Sequence, residues 1–356
     1  FCLLSIFIIK LQQFCLLSIF IIKLQWFCLL SISINIKIEN YININININV
    51  YYNKKMAYVG YHASITKSFY SSLAREFKQT GANAYQIFLK TPKRKIMSKI
   101  KEDDALKCKE FISTNDIKLF VHSSYLFNTG AVPSEYSINT GVDDIQWIDK
   151  MGGLGAVFHM GKHCKRCSVE QCILQMKEYV STVLAKTSGC DAHLILETGA
   201  GVGTEVCTSI DDLAKLYNMF TEEEKERISF CIDTCHIFAA GYDISTREGA
   251  HAYIREFTEK LDWSKVILIH LNDSKVPCGS KKDRHENLGE GHINLEGLSH
   301  FVRYCQQSGI TMVMETPTSK AKLVLKSSKE DPGFEYKTPV GKSRLEEVQL
   351  VRSWLQ

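Results

Sequence analysis

The chain has no apolar run long enough to cross a bilayer, no Gly-x-Gly-x-x-Gly after its first predicted strand and no second C-x-x-C to partner its one such motif. Each absence removes a class. In the first 25 residues the apolar runs stop after about nine residues at Lys10 and Lys23, short of the roughly 18–20 that a span needs, so no membrane role is expected. A basic start and a small-residue cleavage site are missing there too, which argues against a secretory signal. Without the glycine fingerprint, an open nucleotide-binding sheet loses its main support. A formal charge of +4 points to no partner by itself. Thirteen cysteines suggest a disulfide scaffold until they are placed. Cys2, Cys15 and Cys28 lie in a terminal repeat, and Cys231 sits in an apolar strand, where a free thiol packs as a small hydrophobe. A barrel-sized domain needs no staples, so an intracellular reducing compartment is expected, cytoplasm or nucleus, with a viral or organellar setting also open.

Residues 1–55 stand apart. Phe1–Gln12 recurs almost unchanged at Phe14–Gln25, a third copy decays from Phe27, and Tyr41–Val50 alternates Ile with Asn. This is low complexity. The first methionine is Met56, and residues 1–55 are expected to be an extension that is disordered or untranslated. Residues 56–318 then match the length of one barrel domain of about 250 residues, and 319–356 read as a loop with a closing helix at Ser343–Trp354.

What is present is a repeated ending. Six short apolar runs stop on a histidine or carboxylate: Ile117–Val121 at His122, Ala156–Phe158 at His159, Leu194–Leu196 at Glu197, Ile228–Ile232 at Asp233, Val266–Ile269 at His270 and Thr311–Met314 at Glu315. His, Asp and Glu occupy about one position in seven, so six consecutive matches are hard to reach by chance. Such runs, separated by amphipathic stretches, read as buried parallel strands alternating with helices. Two further strands, Tyr58–His62 and Ala84–Leu89, complete eight. Helices are expected near Ser68–Thr80, Asp103–Asn115, Asp143–Met151, Glu170–Thr187, Ile210–Asn218, Ala250–Lys260 and Leu295–Gln307. Gly81, Gly153, Gly189 and Gly309 precede strands, where αβ loops favour left-handed geometry. The fold class is α/β, a single-domain (β/α)8 TIM barrel, whose active sites gather at the C-terminal strand ends.

Two local patterns add donors. Asp233-Thr-Cys-His236 sets an imidazole three residues after a strand-end carboxylate, and Asp283-Arg-His285 repeats the pair in the loop after strand seven. Nine candidate ligands result: His122, His159, Glu197, Asp233, His236, His270, Asp283, His285 and Glu315. Nitrogen and oxygen donors without thiolate suit zinc, manganese or iron better than calcium, and nine exceed what one tetrahedral ion uses. His62 reads equally as a packed strand end or as a support for the ligands. His163, Cys164, Cys167 and Cys172 could hold a zinc or a redox disulfide, but read as ordinary surface residues. Lys90, Lys93, Arg94, Lys95, Lys99 and Lys101 crowd the loop after strand two, either a solvated loop or a phosphate-contacting surface.

Several longer segments carry a resemblance: Val59-Gly-Tyr-His-Ala-Ser64, His122-Ser-Ser-Tyr-Leu126, Cys231 through Asp243, His270-Leu-Asn-Asp-Ser-Lys275, Gly279–Gly291 and Met314-Glu-Thr-Pro317. From Met56 to Glu315 the chain resembles endonuclease IV, the barrel-fold apurinic/apyrimidinic DNA endonuclease family. That resemblance implies three zinc ions, with Mn2+ or Fe2+ as substitutes. His122, His159 and Glu197 would hold one, and Glu197 would bridge to a second with Asp233, His270 and Glu315. His236, Asp283 and His285 would hold the third. It implies hydrolysis of the phosphodiester bond 5′ to an abasic site in duplex DNA, leaving a 3′-hydroxyl and a 5′-deoxyribose phosphate, with Glu197 orienting the attacking water. The expected partner is double-stranded DNA, met by a monomer. Tyr125 matches a position that enters the minor groove, and Lys93, Arg94 and Lys95 would contact DNA. Bacterial relatives carry arginine where this chain has Lys93, and an ammonium lacks the planar stacking surface of a guanidinium. The alternatives are a divalent-metal sugar isomerase of similar barrel and an inactive abasic-site-binding protein.

Overall fold

The computed structural model describes residues 56–90, 100–318, 323–325, 334–336 and 342–356. The repeat region 1–55 and the basic positions Lys93, Arg94, Lys95 and Lys99 lie outside the described residues. Met56–Gln356 forms one compact unit.

Eight strands close into a parallel barrel: β1 Val59–His62, β2 Ala84–Ile87, β3 Lys118–His122, β4 Gly155–His159, β5 His193–Glu197, β6 Ile228–Asp233, β7 Val266–His270 and β8 Thr311–Met314, with β8 pairing β1 to complete the ring. The strands are buried on both faces, which is why they read as continuous apolar runs. One face of each feeds a small interior cluster of Ala84, Phe120, Val157, Ile195, Cys231, Leu268 and Val313. The other face packs on the surrounding helices in the larger core. On β1 the matching interior position is Gly60. A Cβ there would sit 1.6 Å from the carbonyl oxygen of Ala84, so only glycine lets β1 and β2 close.

Helix boundaries follow local capping. α1 Phe69–Thr80 starts at Ser68 and stops at Gly81 in the left-handed region, φ 62°. α2 Glu102–Thr114 carries three acidic residues in its first turn. α3 Glu135–Lys150 begins with a capping box between Ser134 and Ser137. It starts eight residues before the Asp143 expected from the sequence. Gly141 resembles a break but is a packing requirement: a Cβ there would meet the Tyr179 hydroxyl at 2.4 Å. α4 Val169–Lys186, α5 Ile210–Tyr217 and α6 Glu222–Glu226 follow. α7 Thr234–Ala240 is capped by Asp233 itself, and α8 Arg247–Leu261, α9 Leu295–Ser308 and α10 Arg344–Trp354 complete the ring.

Two sequence expectations need correction. Of the four glycines before strands, Gly81 and Gly309 are left-handed, but Gly153 and Gly189 are not, and Gly152 takes that role beside Gly153. Gly153 is small for a different reason, because Ile148 and the Leu119 carbonyl crowd its Cα. The stretch expected as loop after residue 318 contains a short antiparallel ladder, Leu323–Leu325 with Phe334–Tyr336. Among the described residues no helix is long and apolar enough to cross a membrane.

Candidate metal centre

Side chains two residues beyond the interior cluster project from the same strand faces one layer higher, at the C-terminal mouth. Those positions are His62, Gln86, His122, His159, Glu197, Asp233, His270 and Glu315, one polar side chain per strand. Register brings neighbours level: His159 is paired with Glu197, and Asp233 with His270. The second pairing depends on a shift in β7 by which Phe230 pairs Val266 while Cys231 pairs Leu268. Without that extra residue Asp233 would face Ile269.

The nine donors expected from the sequence come together. Ligand-type atoms lie within 4.8 Å of one another in His122–His159–Glu197, in Glu197–Asp233–His270–Glu315 and in His236–Asp283–His285. Glu197 belongs to two of these groups and is fully buried, with Oε2 3.4 Å from His122 Nε2 and 3.2 Å from His159 Nδ1. Its Oε1 lies 2.8 Å from His270 Nδ1. A further group, Asp233–Cys235–His285, adds a thiol that the sequence reading did not weigh. Burial pushes that thiol up to about 12, which leaves it protonated beside the stronger donors.

Ring orientation is fixed from behind. His122 Nδ1 donates to the Ser123 carbonyl at 2.8 Å, and His236 Nδ1 to the Thr198 carbonyl at 2.8 Å, so each turns Nε2 toward the centre. His270 is reversed: Nε2 donates to Gln86 Oε1 at 2.8 Å and Nδ1 faces Glu197. Asn272 donates to Asp233 Oδ2 at 2.7 Å, while its own Oδ1 accepts from the Glu315 backbone N–H at 2.8 Å. The loop carrying Asp283 and His285 is pinned by Asp273, whose carboxylate accepts from the backbone N–H groups of Ser274, Gly289, Gly291 and Ile293. A two-residue ladder, Asp273–Ser274 with His285–Glu286, then fixes His285.

These donors fit metal ions on two counts. Buried Glu197 Oε2, His236 Nε2 and His285 Nε2 have no hydrogen-bond partner, and all three face into the cluster. Burying imidazoles and carboxylates together is otherwise costly, and the field shows it. Burial and the neighbouring His122 and His236 hold His159 down at about 4 against the pull of Glu197. Burial opposes charge on His236, yet Asp233, Asp283 and Glu197 raise it to about 10. Against burial, the surrounding imidazoles hold Glu197 and Glu315 well below the usual carboxylate range. Buried carboxylates that stay ionised and draw positive charge onto neighbouring imidazoles set up a field that divalent cations would satisfy.

The other candidates divide. Tyr125 is exposed at the mouth, its ring 5.2 Å from that of His122 and 5.6 Å from that of His159, beside a cavity of about 880 Å3 that His159, His236, Asp283 and Glu315 also line. His62 packs on Phe88 with Nδ1 3.3 Å from Glu315 Oε1, combining both roles read for it. Lys90 is no surface cation, being buried and paired with Asp143 at 3.2 Å. The cysteine cluster divides between surface and core, with His163 and Cys167 half-buried. Cys164 is exposed, but Cys172 is buried in the first turn of α4, and among the described residues no metal group includes His163, Cys164, Cys167 or Cys172. The sequence reading missed Gln86 and Asn272. The only signal for Gln86 is a lone amide in an apolar strand, in phase with Ala84 of the interior cluster.

Comparison with known proteins agrees with this geometry. The family described as "Xylose isomerase-like TIM barrel" matches residues 74–337. The protein "Putative endonuclease 4" of Acanthamoeba polyphaga mimivirus is 36% identical over 268 residues, covering 73% of this chain and 85% of its own length. Among solved structures, endonuclease IV from Thermus thermophilus matches with a TM-score of 0.67 at 24% identity, over 83% of this chain and 98% of that chain. A D-tagatose 3-epimerase-like protein matches with a TM-score of 0.59 at 13% identity, over 83% and 96%. At these identities the two structures speak for the fold alone. The class is thus an enzyme barrel with a metal-donor mouth. The chain belongs to the xylose isomerase-like TIM-barrel family, as an endonuclease IV-like, AP endonuclease-like member.

Proposed function

We propose that the protein hydrolyses the phosphodiester bond 5′ to abasic sites in duplex DNA, leaving a 3′-hydroxyl and a 5′-deoxyribose phosphate, as a step of base excision repair in a reducing intracellular compartment. His122, His159 and Glu197 would hold one zinc ion, Glu197 with Asp233, His270 and Glu315 a second, and His236, Asp283 and His285 a third. Mn2+ or Fe2+ could substitute, since the donors are nitrogen and oxygen. The observation that carries the reading is the third donor group, which stands beside the two that share Glu197.

Bound ions would supply Lewis-acid activation of water and of the phosphoryl oxygens. The chain's own residues do the rest. Glu197, anchored through two donor groups, orients the attacking water in the mouth. Tyr125 presents an aromatic face where the missing base leaves a gap, and an unstacked lesion lowers the work of opening the duplex. Lys93, Arg94 and Lys95 would neutralise flanking phosphates. The unit acts as a monomer in this reading.

The test uses the full chain and an end-labelled duplex with one tetrahydrofuran abasic site, in buffer without magnesium. Nicking 5′ to the lesion, lost on stripping with a zinc chelator, supports the reading. His236→Ala should lose one equivalent of zinc and at least about 100-fold in nicking, and full activity in that variant would reject the three-ion centre. Metal binding without nicking would return the abasic-site-binding alternative. Ketose isomerisation by the same preparation would return the sugar isomerase.

A further inference from the structure

Gln86 lies on β2, three strands around the barrel from His270, and has no solvent exposure. Its amide reaches across the mouth and is bonded at both ends. Nε2 donates to Glu315 Oε1 at 2.6 Å, with His62 Nδ1 3.1 Å from the same nitrogen and 3.3 Å from the same oxygen, and Oε1 accepts from His270 Nε2 at 2.8 Å. The amide's orientation is dictated chemically. A carboxylate oxygen only accepts, so the NH2 must face Glu315, and the carbonyl must then face His270. His270 therefore keeps its proton on Nε2. Its other nitrogen, Nδ1, looks at Glu197 Oε1 at 2.8 Å, Glu315 Oε2 at 3.5 Å and Asp233 Oδ2 at 3.8 Å.

We infer that Gln86 is a positioning residue for the Glu197–Asp233–His270–Glu315 group: it selects the imidazole nitrogen that His270 offers to a metal and, together with His62, fixes which oxygen of Glu315 stays free. One amide thus orders two of the four donors at once. The inference rests on the metal-centre reading above and goes beyond it, because Gln86 is not itself a donor. A side chain serving only to fill space here would be replaced without loss by methionine, which has the same length and no hydrogen bonds. One that fixes a histidine tautomer would not.

The experiment compares the full-length wild-type chain with Gln86→Met. Zinc affinity and stoichiometry come from competition with a chromophoric chelator, thermal melts are taken on the metal-free forms, and histidine ring nitrogens are followed by 15N NMR. The expected result is a loss of about 10–100-fold in affinity for one equivalent of zinc, with the remaining equivalents unchanged. His270 should carry its proton on Nε2 in the zinc-loaded wild type and lose that single ring signature in the variant. Wild-type affinity in Gln86→Met, with or without a lowered melting temperature, leaves packing as the only role and overturns the inference. So does a wild-type His270 protonated on Nδ1 in the zinc form, a reading that stands even if the variant does not fold. A wild-type chain that binds no zinc removes both readings. Three bound zinc ions without abasic nicking removes the nuclease function alone and leaves the affinity comparison to judge Gln86.

Discussion

Asp144 offers the most quantitative test of how the loop after β3 is held. Its carboxyl is 2% exposed on α3 and accepts from the Ser123 hydroxyl at 2.6 Å, one residue after His122. Burial raises it to about 7, with the Ser123 hydrogen bond and Lys90 pulling down and Asp143 pushing up. In the unfolded chain the same group titrates near 3.9. The folded value is the higher one, so the folded state holds a proton that the unfolded state has released between those pH values. Stability from the neutral acid is therefore complete below about pH 4 and is lost as pH rises through about 7. At about 1.4 kcal/mol per unit, the loss between pH 5 and 8 comes to about 3 kcal/mol. Asp144→Asn keeps an acceptor for Ser123 and never ionises. Its advantage over the wild type should grow by that amount from pH 5 to 8, a difference in melting temperature of roughly 5 °C for a unit of this size. Urea and thermal melts of both proteins across that range measure it. A difference that stays flat with pH, or a variant weaker at pH 8, would show that the Ser123 hydrogen bond and the field of Lys90 outweigh burial, and would refute the argument.

Other expectations follow from single contacts. Gly60→Ala should destabilise by about 3 kcal/mol or more, because its Cβ would sit 1.6 Å from the Ala84 carbonyl; a wild-type melting curve would show that β1 and β2 have slack. Tyr125→Ala should leave zinc content unchanged while reducing the preference for abasic over intact duplex in a competition assay, since the ring is exposed beside His122 and His159. Unaltered preference would remove Tyr125 from lesion recognition. Removing residues 1–55 should leave abasic nicking unchanged, as all nine donors lie between His122 and Glu315. An insoluble or inactive product would assign that segment a part in folding.

The donors were legible in the sequence because a buried strand that ends on a charged side chain is rare unless something binds there. His122, His159, Glu197, Asp233, His270 and Glu315 each break an apolar run at the layer where the barrel opens. Gly81 and Gly309, which end α1 and α9 in the left-handed region, were legible from local sequence as well. What escaped depended on partners far apart in sequence. Gln86 is an ordinary polar residue until His270, 184 residues away, is set opposite it. The eight residues missing from the start of α3 include Gly141, whose purpose appears only with Tyr179 in place. Lys90 counted among the basic loop residues because nothing local announces its pairing with Asp143.

The barrel supplies less of the functional distinction than its resemblance to sugar-processing relatives suggests. The six strand-end donors form the two groups that share Glu197, and two ions there would already serve a sugar isomerase. The third group is built entirely outside the barrel strands. His236 stands in the first turn of α7, a helix capped by the side chain of Asp233, so one carboxylate both serves the strand-end layer and aims the next donor. Asp283 and His285 hang on a loop whose path is set by the buried Asp273 and its four backbone partners. Those devices have no use in a two-ion site, and they consume a buried carboxylate and a loop of glycines to place three side chains within reach of one another. The segments after β6 and β7 are therefore where the nuclease reading stands or falls. Exchanging the loop from Lys275 to Glu286 for a plain turn should spare the barrel and the two Glu197-sharing groups while abolishing abasic nicking. Retained nicking after that exchange would mean that two ions suffice.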